Sequence, residues 1–156
     1  MGRLRGGTKR SSWLTFRRRL LLVRALLRGP VTYRVGAGTM RPGDWTEQGL
    51  ETYSGGVRYI AEIELERKPD GTIWLDLGEV RGTAEIRVNG ENAGVCIWSP
   101  YRTDVTPYVA AGTNRIEVTV FNTLANYLHG VSPTHYIAKG QLRSGMFGPV
   151  RLLVKP

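Results

Sequence analysis

Apolar and polar residues alternate along much of the chain. In residues 57–66, Val57, Tyr59, Ala61, Ile63 and Leu65 fall on one face. Arg58, Glu62, Glu64 and Glu66 fall on the other, with Ile60 as the exception. A period of two predicts a strand with one wet face. Pro69-Asp70-Gly71 predicts a turn, and residues 72–77 a strand that returns as a hairpin. Residues 83–88 put Ala84, Ile86 and Val88 on one face. Asn89-Gly90 tolerates positive φ at both residues and predicts a tight turn into a return strand over residues 95–98. Residues 114–121 alternate again, with Ile116, Val118 and Val120 inward and Arg115, Glu117 and Thr119 outward. Strands are also expected over residues 31–35 and 148–154.

Between these runs, Asp104-Val105-Thr106-Pro107 predicts a helical turn, with Thr106 as its cap and Pro107 at the first helical position. Residues 123–145 read as a long loop region with room for one short helix or strand. The count is seven or eight strands, short connections and no βαβ alternation. The expected fold class is all-β: an antiparallel jelly-roll β-sandwich.

Composition sharpens this picture. At 156 residues and 41% hydrophobic, the chain has the size of one domain, or one domain plus an arm. Twenty Gly and eight Pro suit turn-rich β structure. The single Cys96 excludes an intrachain disulfide, so the fold does not depend on an oxidising compartment. The net charge of +9 is unevenly placed. Of 22 basic residues, nine lie in residues 1–28 and 13 in the rest, and the rest also hold all 13 acidic residues. The expected division is a basic N-terminal arm over 1–28, disordered or a short helix, and a neutral sandwich over 29–156. A neutral body argues against specific nucleic-acid binding through a folded face. The arm remains a separate candidate for binding anionic polymers or membranes. Its longest apolar run, residues 20–23, falls far short of the ~20 residues of a membrane span. Arg17-Arg18-Arg19 gives a faint twin-arginine export pattern that Arg24 and Arg28 interrupt. The compartment stays open between bacterial cytoplasm and export.

Three stretches carry a family resemblance. Residues 43–65 (GDWTEQGLETYSGGVRYIAEIEL) resemble the opening of the galactose-binding-like jelly-roll domain of glycoside hydrolases. Residues 84–130 (AEIRVNGENAGVCIWSPYRTDVTPYVAAGTNRIEVTVFNTLANYLHG) are similar to its middle, and residues 144–154 (SGMFGPVRLLV) to its last strand. Glycoside hydrolase family 2 uses this domain for sugar binding. The Asn-Thr-Leu-Ala-Asn stretch is closer to the terminal β-sandwich of family 106 α-L-rhamnosidases. The resemblance implies an accessory module whose partners are carbohydrate or a catalytic domain. The chemistry of such enzymes runs on a separate barrel that has no counterpart here. Structural calcium is permitted by the resemblance but is not called for by any acidic loop cluster, so no cofactor is expected.

Glycoside hydrolysis needs two carboxyls facing each other, roughly 5–9.5 Å apart, one of them held protonated. Glu62, Glu64 and Glu66 line a wet face, Asp70 sits in a turn, Asp76 and Glu79 flank a strand end, and Asp104 ties a loop. None is expected opposite another, so no catalytic residue is assigned. His129 and His135 lack a third metal ligand nearby. Cys96, between Val95 and Ile97, is expected to be an inert buried thiol.

Binding remains. Sugar rings stack their C–H faces on aromatics and offer hydroxyls to planar polar groups. The loop candidates are Trp45, Tyr53, Trp98, Tyr101, Arg102, Asn122, Asn126 and His129, with Tyr127 beside them. The same residues have an architectural reading: a packed Trp, a Tyr hydroxyl tied to backbone, an Arg bridging loops. Trp74 lies within a strand and belongs to core or sheet face. The competing functions are a carbohydrate-binding accessory domain, a structural interface module without ligand, and anionic-polymer binding through the arm. Sequence does not decide the sugar or the oligomeric state.

Overall fold

The architecture follows from strands that bury one face each. A computed structural model describes residues 41–131 and 137–155. The expected arm over 1–28, the strand over 31–35, the domain start at residue 29 and His135 lie outside the described residues. The first strand, β1 (Gly56–Leu65), is followed by β2 (Thr72–Asp76), β3 (Glu79–Arg81), β4 (Thr83–Val88), β5 (Glu91–Cys96) and β6 (Arg102–Asp104). Then come β7 (Gly112–Phe121), the short helix α1 (Ala125–Val131), β8 (Gly145–Gly148) and β9 (Arg151–Lys155). They form a four-stranded sheet in the order β1-β7-β4-β5, a three-stranded sheet β6-β2-β9 and a two-stranded ribbon β3-β8. The pairings are antiparallel.

Register explains the core. Tyr59 lies opposite Val118 and Val118 opposite Ile86, so one row of side chains crosses three strands. Val57, Val120 and Ala84 make a second row, and Ala61, Ile116 and Val88 a third. Most of these residues are buried, facing Ile73 and Leu75 of β2 and Leu77 beyond it. The outer positions of the same strands are charged and pair within their sheet, as Arg58 and Arg115 do with Glu117. Each strand thus turns its apolar set toward the other sheet and its polar set toward water.

Four expectations need correction. Residues 72–77 do not return as a hairpin on the first strand: β1 pairs with β7, and β2 with β6 and β9. The turn at Pro69-Asp70-Gly71 carries the chain across to the other sheet. The return strand after Asn89-Gly90 is β5 and ends at Cys96, before Trp98. The expected last strand splits at Pro149 into β8 and β9, which belong to different sheets. The described strands number nine, because β3 and β6 are three residues each and too short to show a period. The Asn89-Gly90 turn itself is as expected, with φ 53° and 87°.

Ile86 sits in the middle of the first side-chain row and has no solvent exposure. Ile86→Ala should therefore lower the unfolding free energy by about 2–5 kcal/mol in urea denaturation, with an unchanged denaturant slope. A loss under about 1 kcal/mol would contradict the packing described.

Candidate functional site

The loops that carry the sequence candidates meet through a polar clasp. The Asn122 side chain accepts from Gly55 N–H at 2.8 Å and donates to the Tyr53 carbonyl at 2.8 Å. Its amide also reaches Asn126 Oδ1 and Ser144 Oγ at 3.3 and 3.2 Å. Asn126 is 1% exposed. It donates to the Leu142 and Glu51 carbonyls and accepts from Ser144 Oγ. One network therefore joins the loop before β1, the loop after β7 and the loop before β8. A long polar loop can only be drawn over a core if its backbone groups find partners. Here side-chain amides supply them.

The candidate aromatics divide into three anchors and the exposed Trp98 and Tyr127. Trp45 is 0% exposed, its Nε1 donating to the Tyr59 hydroxyl at 2.6 Å. It has no ring face for a ligand. Burial raises the Tyr59 hydroxyl above its ordinary pKa, against the lowering effect of that hydrogen bond. Tyr53 packs beside Trp45 and donates to the Gly56 carbonyl. Tyr101 is buried and donates to the Gly82 carbonyl at 2.6 Å. These three take the architectural reading. Trp98 is the opposite case at 72% exposed. It lies in the link between Ile97 and Tyr101, both of which line a cleft of about 430 Å³. Arg81, Thr83, Phe121 and Thr123 complete most of its wall. Phe121 and Ile97 expose apolar surface there. The cleft thus combines hydroxyl and guanidinium donors with apolar walls.

The remaining candidates lie elsewhere. Arg102 on β6 holds Asp76 Oδ2 at 2.6 Å, and that guanidinium is the main reason the Asp76 carboxyl is held below its ordinary pKa. His129 and Tyr127 are exposed on α1. Sequence reasoning missed Arg81, Thr83, Phe121 and Thr123 as cleft walls. It also missed Asn114, which is fully buried and satisfied by Asn89 and the Ala110 and Gly112 backbone. A polar residue at an inward strand position was the available signal.

The chemistry of acids points away from proton donation. The two carboxyls with displaced pKa values, Asp76 and Asp104, are both lowered, Asp104 by the Thr106 hydroxyl and then its N–H. A general acid would need the reverse. Asp104, rather than Thr106, caps the turn at 105–109, accepting from Thr106 N–H at 2.9 Å. Thr106 Oγ1 instead accepts from Ile73 N–H on β2, the strand that β6 pairs with in the same sheet. Among the described residues no cluster of three His, Cys, Asp or Glu could hold a metal. Burial is the main cause that raises the Cys96 thiol, so it is less reactive than a free one. No helix among the described residues is long and apolar enough to cross a membrane.

Known proteins give this site a context. No protein-family model matches the chain. A rhamnosidase from Novosphingobium sp. PP1Y has a similar structure, with 28% identity and a TM-score of 0.58 over 74% of this chain and 12% of the rhamnosidase. A Formosa agariphila protein named "Putative beta-glucuronidase" is 35% identical over 86 residues, 53% of this chain and 7% of that protein. A β-D-glucuronidase from Dictyoglomus thermophilum matches 53% of the chain at 26% identity and a TM-score of 0.45, too distant in shape to argue from. The chain thus spans a small fraction of the proteins it matches. It is similar to one β-sandwich segment of glycoside hydrolases, as the sequence resemblance implied.

Three outcomes test the site's construction. Asn126→Leu removes the amide donor to the Leu142 and Glu51 carbonyls, leaving Leu142 the Ser144 hydroxyl, and should cost about 1–3 kcal/mol of stability. Trp98→Ala should change stability by less than about 0.5 kcal/mol, because an exposed ring holds nothing in place. For Asp76 the folded pKa lies below the ordinary 3.8. Its contribution is therefore present above the unfolded value and lost as pH falls through the folded one. The stability gap between wild type and Asp76→Asn should hold constant from pH 7 to about 5 and close toward pH 2, by thermal unfolding. A gap that persists at the acid end would refute the Arg102 assignment.

Proposed function

We propose that this glycoside-hydrolase-related domain is a non-catalytic carbohydrate-binding accessory module, with Trp98 as its stacking platform. The observation that carries this reading is Trp98 itself, a 72% exposed ring beside a cleft walled by Arg81, Thr83 and Thr123. An indole face matches the C–H face of a pyranose, and the threonine hydroxyls and the arginine can meet ring hydroxyls or a uronate carboxylate. The relatives named for rhamnose and glucuronide chemistry support those two sugar classes. A second reading rests on the exposed Ile97 and Phe121 of the same cleft: they could seat a catalytic domain, as expected where a matched segment belongs to a much longer protein.

Isothermal titration with rhamnose-, galactose- and uronate-containing oligosaccharides distinguishes the two. Binding of at least one class on the order of millimolar is expected. Trp98→Ala should abolish it, and Tyr127→Ala should leave it unchanged. No heat and no chemical-shift change at millimolar sugar would remove the carbohydrate reading and favour the docking face.

A further inference from the structure

The turn between β4 and β5 is fastened by one side chain. Asn89 and Gly90 carry the chain round it, both at positive φ. The Asn89 carboxamide reaches out of the turn to β7 and the segment before it. Its Nδ2 donates to the Tyr108 carbonyl at 2.8 Å and to Asn114 Oδ1 at 3.0 Å. Its Oδ1 accepts from Arg115 N–H at 2.8 Å. Both amide hydrogens and one lone pair are thereby engaged. Asn89 is nonetheless exposed, so water has access to it.

An asparagine followed by glycine carries a reaction of its own, and Asn89-Gly90 is the one such pair in the sequence. The Gly90 backbone nitrogen attacks the Asn89 side-chain carbonyl carbon. A carbon–nitrogen bond forms, the attacking nitrogen's proton passes to the departing amide, and ammonia leaves a five-membered succinimide. Water then opens the ring at either carbonyl, giving aspartate or isoaspartate. Glycine has no Cβ to obstruct the approach. The obstacle is the tie itself, because the carboxamide is held on Tyr108, Asn114 and Arg115 instead of against Gly90. The products cannot restore that tie. A carboxylate at position 89 has no hydrogen to give and faces two acceptors, the Tyr108 carbonyl and Asn114 Oδ1. Isoaspartate also lengthens the main chain of the turn. We propose that Asn89 is a deamidation site guarded by the fold: it converts when its tie to β7 opens, and conversion prevents the tie from closing again. The turn that fastens this end of the sandwich is therefore also its point of one-way loosening.

Tandem mass spectrometry of the full chain, aged in mildly alkaline buffer, reads conversion at Asn89 separately from Asn92, which precedes Ala93 and serves as the internal reference. Asn89 should deamidate roughly a hundredfold more slowly in the folded chain than in urea, because three hydrogen bonds of ordinary net strength have to open first. Asn114→Ala removes one acceptor of the tie and should speed the folded-state reaction roughly tenfold. Ile86→Ala loosens the core but not the tie, and should leave that rate within about twofold. Near-UV circular dichroism verifies that each variant is folded. Should Asn114→Ala fail to fold, the folded-to-unfolded ratio of the unaltered chain decides alone. Asn89→Asp, which reproduces one product, should raise the unfolded-to-folded ratio roughly tenfold in urea denaturation. Folded and unfolded rates within about threefold of each other would mean that the tie guards nothing. An equal acceleration by Ile86→Ala would place the opening in the whole fold rather than in the turn. An Asn89→Asp chain as stable as wild type would mean that conversion loosens nothing. Any of these three results overturns the proposal.

Discussion

The constraint that shapes this domain is the backbone that crosses between sheets. Strands satisfy one another's amides, but each crossing leaves N–H and carbonyl groups with no ladder to join. Four asparagines meet that need. Asn89 and Asn114 hold the end near Tyr108 and Gly112. Asn122 and Asn126 hold the end near Tyr53 and Leu142. A carboxamide both donates and accepts, so one buried side chain can stand in for a missing stretch of sheet. Leaving such groups unpaired would cost about 1–3 kcal/mol each, comparable to the gain from burying a core valine. The apolar rows of β1, β7 and β4 can close against β2 only because these ends are tied.

That constraint also decides which loop residues are free to meet a ligand. Asn122 and Asn126 have the chemistry of a sugar site, yet their hydrogen-bonding capacity goes to backbone and Ser144. Tyr53 and Tyr101 use their hydroxyls in the same way, each on a glycine carbonyl. Trp45 fills the core beneath them. Trp98 has no such duty, and its ring stands in water. A candidate list built from residue type therefore contracts to Trp98, with Tyr127 and His129 exposed apart from it on α1, once backbone satisfaction is counted, while Arg81 joins from β3, too short to be noticed, and Thr83 from the start of β4.

The sequence was legible where physics is local or periodic. The alternation of 57–65 and 114–120 reports a strand with one buried face, and Asn89-Gly90 reports a turn, because neighbours alone determine both. Sheet membership is not local. The turn at residues 69–71 is compatible with a hairpin or with a crossing, and only the pairing of β1 with β7 decides it. Asn122 is similarly ambiguous, since an amide serves a sugar hydroxyl or a peptide group equally well. The lone polar Asn114 in line with Ile116, Val118 and Val120 was a departure from pattern that signalled an internal tie and was missed. The fold-level resemblance was the more legible part because it rests on spacing over most of the chain.

Surface electrostatics narrow the kind of recognition such a body can perform. The described ion pairs join residues of one sheet or adjoining loops: Arg58 and Arg115 on Glu117, Arg81 on Glu79, Arg102 on Asp76, Arg143 on Asp44. Charges paired this way cancel over a few ångströms and project little field beyond a screening length. Residues 29–156, with equal numbers of basic and acidic groups, therefore have little means of steering a distant charged partner. What they offer at short range is shape, one open indole and a half-polar cleft. Such a surface suits a hydroxyl-rich ligand, neutral or with a carboxylate in reach of Arg81, or an apolar partner face, whose contacts form only on touching. Any steep salt dependence in the whole chain must then come from the nine basic residues of 1–28, which no acidic residue in that stretch offsets.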